Sequence, residues 1–230
     1  MIFDIKNYIL SLDSECEFSC PLYCEKPRIL TQHIELLFNL CDNYELNSYT
    51  KYHTIHILQG LNSIKDDPHI VYIALMISSK VYEKIPLTLT QIQKHTNVSK
   101  DIVTQLEAQC MNLLSNEILE VTLFEWVIAF IELRFHEINP KIKADIKKTC
   151  CYIIDFIYEE NKMITYIPVG VLAVAIITSS INILTLTIGE FSFIAMFAKA
   201  LGVESDIIMN VSQEILKYTL GPKFYSDYNF

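Results

Sequence analysis

An all-α fold is predicted by three features of the sequence. Gly and Pro number only 5 and 7 in 230 residues, too few for a turn-rich β architecture. Apolar residues recur three and four positions apart along most of the chain, and no period-two pattern competes with them. The stretch from Ile70 to Lys80, I-V-Y-I-A-L-M-I-S-S-K, is apolar on every side of a helix, as expected of the centre of a helical bundle wrapped by amphipathic neighbours.

The elements follow in order. Ile2, Ile5, Ile9 and Leu12 form a stripe that predicts a short N-terminal helix, and a linker with Cys16, Cys20 and Cys24 runs to Pro27. Leu30, Ile34, Leu37, Cys41 and Tyr44 predict a helix with one buried face, and Ile57, Leu61 and Ile64 a second. The central helix, which Lys80 terminates favourably for its dipole, stops before Pro86. Ser99 is the expected N-cap of the next helix, with Val103, Leu106, Cys110 and Leu113 facing inward. Thr122-Leu-Phe-Glu125 reads as a capping box opening a further helix, and Asn139-Pro140 as a cap with proline at the first helical position. Thr187 and Ser205 are expected to cap the last two helices, and Gly202 and Gly221 to end them.

Composition narrows the function. A formal charge of −9 disfavours broad nucleic-acid binding, which needs clustered Lys and Arg. Seven cysteines is an odd number, and M-I-F-D-I-K-N-Y lacks the features of a signal peptide. Reduced thiols in an intracellular compartment, nucleus or cytoplasm, are therefore expected. The four-residue spacing of Cys16, Cys20 and Cys24 does not match the usual zinc ligand spacings. His53 and His56, one turn apart, are expected at the surface, and no metal or other cofactor is expected. Residues 163–189 carry no charge and are tested as a membrane span. Pro168, Gly170, Ser179, Ser180, Asn182, Thr185 and Thr187 favour a buried helix followed by a turn. No catalytic constellation is found, and no enzyme or small-molecule substrate is expected.

The second half echoes the first. I-S-S at 77–79 and T-S-S at 178–180 each close an apolar helix, and L-T-L-T follows both, at 87–90 and 184–187. N-V-S-K-D-I-V at 97–103 parallels G-V-E-S-D-I-I at 202–208. These parallels predict two copies of one helical unit, at 28–137 and 138–221, between an N-terminal segment 1–27 and a tail 222–230. Lys80 then falls opposite Ile181, and Glu107 opposite Ser212. Packing residues recur in both copies and site residues need not, so the charged pair is the candidate site.

With these motifs in place, the chain resembles the cyclin family. A-L-M-I-S-S-K-V-Y-E at 74–83 is similar to the A-S-K-x-x-E signature on the third helix of the first cyclin box. L-E-A-Q-C-M-N-L-L at 106–114 is similar to the E-x-x-x-L-x-x-L segment of the following helix, the fourth. Y-I-P-V-G-V-L-A-V-A at 166–175 resembles a stretch of the second box. The resemblance covers about 28–221, and C-D-N-Y-E-L at 41–46 is similar to D-type and herpesvirus cyclins. Departures include Gln59-Gly60-Leu61-Asn62 where many cyclins have D-R-F-L, and Leu36 where a substrate-docking patch carries tryptophan.

The resemblance implies two tandem five-helix bundles and a heterodimer with a cyclin-dependent protein kinase. It implies that Lys80 and Glu107 contact the kinase helix bearing the conserved glutamate, with Val81, Glu83, Met111 and Ile118 around them. Two other readings follow from the same residues. General transcription factors of the TFIIB type use cyclin-like repeats on DNA, and a membrane-tethered helical protein would use 163–189. Nucleic acid and membrane are not expected as partners.

Overall fold

The computed structural model describes residues 29–64, 66–67, 69–96, 98–114, 121–160, 167–186 and 190–220. Among the described residues are ten α-helices and no strand. They are α1 (Thr31–Asn43), α2 (Ser48–Gly60), α3 (Ile70–Tyr82), α4 (Leu89–Thr96), α5 (Lys100–Leu114), α6 (Leu123–Arg134), α7 (Pro140–Glu160), α8 (Val169–Ile183), α9 (Glu190–Leu201) and α10 (Ser205–Thr219). The all-α class is as expected. The N-terminal helix, the three linker cysteines, Ile118, Thr187, Gly221 and the tail 222–230 lie outside the described residues.

The helices form two compact units. Within the described residues, the N-terminal unit is built from 29–122 and 158–160, and the C-terminal unit from 123–157 and 167–220. The packing thus divides the chain between Thr122 and Leu123, whereas the sequence reading divides it at 137–138. The difference comes from α4, an eight-residue helix (LTQIQKHT) of which only Ile92 is buried. So short and polar a segment shows no apolar stripe and passes for a loop. With α4 counted, Glu107 lies on the fifth helix of its unit instead of the fourth, and α6 opens the second set of five.

Each unit is arranged around one apolar helix. In the N-terminal unit α1, α2, α4 and α5 all pack on α3, and in the C-terminal unit α6, α9 and α10 pack on α8. Nine of the thirteen residues of α3 are buried, as are all residues of α8 from Gly170 to Ile181. No helix among the described residues is long and apolar enough to cross a membrane. The 15-residue α8 is the buried helix expected within 163–189.

Both central helices carry a pair of buried serines, and each hydroxyl finds a partner. In α3, Ser78 Oγ is 3.0 Å from His53 Nδ1 on α2. Ser79 Oγ donates to the Met76 carbonyl (2.8 Å) and accepts from the Leu87 amide (3.0 Å) ahead of α4. In α8, Ser179 Oγ pairs with Ser212 Oγ on α10 at 3.0 Å, and Ser180 Oγ donates to the Ile146 carbonyl on α7 at 3.1 Å. A buried hydroxyl without a partner costs about 1–3 kcal/mol. The repeated serines therefore fix the register of neighbouring helices as well as filling space.

Helix ends mostly follow their expected signals. Ser99 Oγ accepts from the Ile102 amide (3.4 Å) and Asn139 Oδ1 from the Lys141 amide (2.9 Å). Thr88 and Gln91 form a capping box at α4, with the Thr88 amide donating to Gln91 Oε1 (2.7 Å). Ser205, expected as a cap, is instead the first residue of α10, behind an extended Glu204 that makes no side-chain cap. Gly202 ends α9 at φ +65°, with the Val203 amide closing on the Ala198 carbonyl (3.0 Å). No atom lies near where its Cβ would be, so strain alone sets the cost of a side chain. Gly202→Ala is expected to lower stability by about 1 kcal/mol, measured by urea denaturation.

Burial also sets one pH response. His33 on α1 is buried, which pushes its pKa below the ordinary 6.5, and Asp66 opposes the shift only in part. The fold holds the neutral imidazole, so the unfolded chain binds the extra proton. Stability is then complete above about 6.5 and falls as pH drops through that value, until the folded-state pKa is reached. The slope from one proton is at most about 1.4 kcal/mol per pH unit. Melting curves between pH 7.5 and 5.5 should show a smaller drop in His33→Gln than in the wild type.

Candidate functional site

Lys80 stands in the last turn of α3, where the buried run gives way to solvent. Glu107 lies midway along α5, which packs against α3. The lysine Nζ donates to Glu107 Oε1 and forms an ion pair, with 47% of the lysine side chain and 23% of the glutamate side chain exposed. A pair this open contributes about 0.2–1 kcal/mol to stability. It therefore adds little to holding α3 on α5, and both charges remain accessible from outside.

The pair borders a groove of about 350 Å3 lined by Ile77, Lys80, Val81, Thr104, Glu107, Ala108 and Met111. Apart from the two charges and the Thr104 hydroxyl, its walls are hydrocarbon or thioether. Val81 is 50% exposed and Met111 43%, although both are large and apolar. Ile85, just beyond α3, is 85% exposed. Two opposite charges beside an apolar trough suit a partner segment with an aliphatic side chain and free backbone polar groups. The trough provides burial, and the charges provide register.

The expected site residues thus fall into three groups. Lys80, Glu107, Val81 and Met111 meet at one surface. Ile118 lies outside the described residues. Glu83 is placed next to this surface but turned to another task. Its Oε1 accepts from the Asn47 amide (2.8 Å) and the Thr50 hydroxyl (2.5 Å) at the start of α2.

The positions that the sequence parallels set opposite these two, in the C-terminal unit, are closed. Ile181 and Ser212 are both buried, and Ser212 is hydrogen-bonded to Ser179. An exposed ion pair in one unit is replaced by core residues in the other.

Three expectations near this site need correction. Leu113 is exposed, and Leu114 takes the inward position on α5 with Val103 and Cys110. Helix α2 is buried continuously from Tyr52 to Gln59 instead of along one face. His53 and His56 are accordingly buried rather than at the surface, with the His53 ring edge-on to Tyr82 at 4.9 Å. Their polar character hid this, because a buried imidazole needs only a partner such as Ser78 to be tolerated.

Among the described residues no three His, Cys, Asp or Glu side chains are grouped to hold a metal. Cys41, Cys110, Cys150 and Cys151 stand outside any disulfide. Cys110, one turn from Glu107, is pushed up to about 11 by burial, with Asp67 and Glu107 adding to the shift. It stays a protonated packing residue at neutral pH. No protein-family model matches the chain, and no curated protein matches it.

Proposed function

We propose that the protein is a cyclin, a regulatory subunit that binds and activates a cyclin-dependent protein kinase through the α3–α5 face. The observation that carries this reading is the Lys80–Glu107 pair, accessible beside an apolar groove in one unit and replaced by buried Ile181 and Ser212 in the other. Two successive sets of five helices among the described residues, each around an apolar helix with a serine pair one turn before its end, support reading the units as two cyclin boxes.

In this reading an aliphatic side chain from the kinase's glutamate-bearing helix enters between Val81 and Met111. Lys80 donates to a carbonyl of that helix and Glu107 accepts from one of its donors. Docking moves the kinase helix inward, so that its glutamate meets the lysine that positions ATP, and the activation loop reorders. The cyclin supplies no reacting group. It selects one of two states of the kinase by binding that state more tightly.

Co-purification with a panel of cyclin-dependent kinases, followed by histone phosphorylation assays, tests the proposal. Capture of at least one kinase with stimulation above its free activity is expected. Failure to capture or stimulate any of the panel would remove the cyclin reading.

A further inference from the structure

The carboxylate of Glu83 completes a latch that has no counterpart in the sequence signals. Glu83 ends α3 and its backbone is extended there (φ −94°, ψ 144°), while its amide still donates to the Ser79 carbonyl at 3.0 Å. From this position Oε1 takes two donors at the start of α2, the Asn47 amide at 2.8 Å and the Thr50 hydroxyl at 2.5 Å. Asn47 answers in the other direction. Its Nδ2 donates to the Tyr82 carbonyl (3.0 Å), and its Oδ1 caps α2 by accepting from the Thr50 amide (2.9 Å).

The C-terminal turn of one helix and the N-terminal turn of the other thus satisfy each other's unpaired backbone groups. The contacts join residues more than thirty positions apart in the chain. The Tyr49 and Tyr82 rings stack over the same junction, with centroids 5.8 Å apart.

We infer that Glu83 is a positioning residue, which holds the last turn of α3 against α2 so that Lys80 and Val81 are presented in fixed register beside Glu107. This rests on the α3–α5 face being the docking surface. It differs from the role that the cyclin resemblance implies for Glu83, which is direct contact with the kinase. Lys80 and Val81 are too exposed for packing of their own side chains to hold them, so their placement depends on the backbone of that turn. A helix's last turn frays readily, because its carbonyls lack intrahelical partners. The latch supplies one such partner at Tyr82 and anchors the residue that follows.

Only the acceptor character of Oε1 is needed for both of its bonds. Glutamine preserves that acceptor without the charge, whereas alanine removes it. Glu83→Ala and Glu83→Gln in the full chain therefore separate positioning from contact. Amide hydrogen exchange reads the latch without a kinase. Glu83→Ala should speed exchange at Asn47 and at residues 80–83 by at least about tenfold, with α8 unchanged and Glu83→Gln within about threefold of wild type. Unchanged exchange in Glu83→Ala, or equal loosening in both variants, would overturn the latch. If Glu83→Ala fails to fold, Asn47→Ala is read at the same amides by the same criteria.

Affinity for the kinase that wild type captures reads the consequence. Glu83→Ala should weaken binding about tenfold or more, while Glu83→Gln restores most of it. Equal loss in both, with normal exchange in Glu83→Gln, would make Glu83 a direct charge contact. Should no kinase be captured by wild type, the cyclin reading fails and the latch is decided by exchange alone.

Discussion

Lys80→Glu combined with Glu107→Lys is expected to abolish kinase capture and leave the fold intact. The swap keeps opposite charges side by side, so an intramolecular pair can re-form across the same α3–α5 contact. Even its complete loss would cost only about 0.2–1 kcal/mol for groups this exposed. For a domain of this size that is a shift of a few degrees at most, about 2–4 °C per kcal/mol. A docked kinase would meet each charge with the wrong polarity. Losing a hydrogen-bonded charge from an interface costs about 2–5 kcal/mol, or about thirty-fold to several thousand-fold in Kd.

Pull-down and titration with the kinase, beside a thermal melt, read both quantities. Binding that survives in the folded double variant would take these residues out of the interface. A melt that collapses would mean the pair is structural after all.

The largest effect on stability is expected from Phe197→Ala. In the C-terminal unit Phe197 is almost wholly buried, with ring centroids 4.4 Å from Phe130 on α6 and 5.0 Å from Phe193 on α9. Phe130 touches Trp126 in turn, and Phe193 stacks on Phe135. Removing the central ring deletes its transfer energy and leaves a cavity bounded by other rigid rings, which relax poorly into it. A loss of about 3–5 kcal/mol is expected, a large share of the roughly 5–15 kcal/mol that holds a typical domain folded. Urea denaturation measures it, and Phe197→Leu should recover part of the loss. A cost below about 1 kcal/mol in Phe197→Ala would show that the aromatic cluster is not tightly packed.

Much of the fold was legible from local pattern. Ile70–Ile77 has no polar face to turn to water, so it had to be central, and the same holds for Val171–Ile177. Ser99, Asn139 and Gly202 marked helix ends because their side chains, or the lack of one, satisfy a local backbone need. Helix α4 escapes pattern reading because Ile92 alone enters the core and no periodicity can be read from one residue. His53 and His56 are misplaced by local pattern because burial of polar groups depends on partners distant in sequence. The choice between Leu113 and Leu114 turned on the phase of α5, which a pattern of apolar residues on both sides leaves open.

For the candidate site, the sequence by itself determined that a lysine and a glutamate occur in the first copy where the second has Ile181 and Ser212. That contrast follows from the repeat alone. Only the tertiary structure decided that Lys80 and Glu107 touch, that Val81 and Met111 open a groove beside them, and that Glu83 faces α2. Each depends on how α3 is set against α5 and α2, at separations of 27 to 36 residues in the chain. Periodicity reports which face of a helix is apolar. The neighbour that covers this face, and the side chains left uncovered at its edge, are decided by packing the helices together.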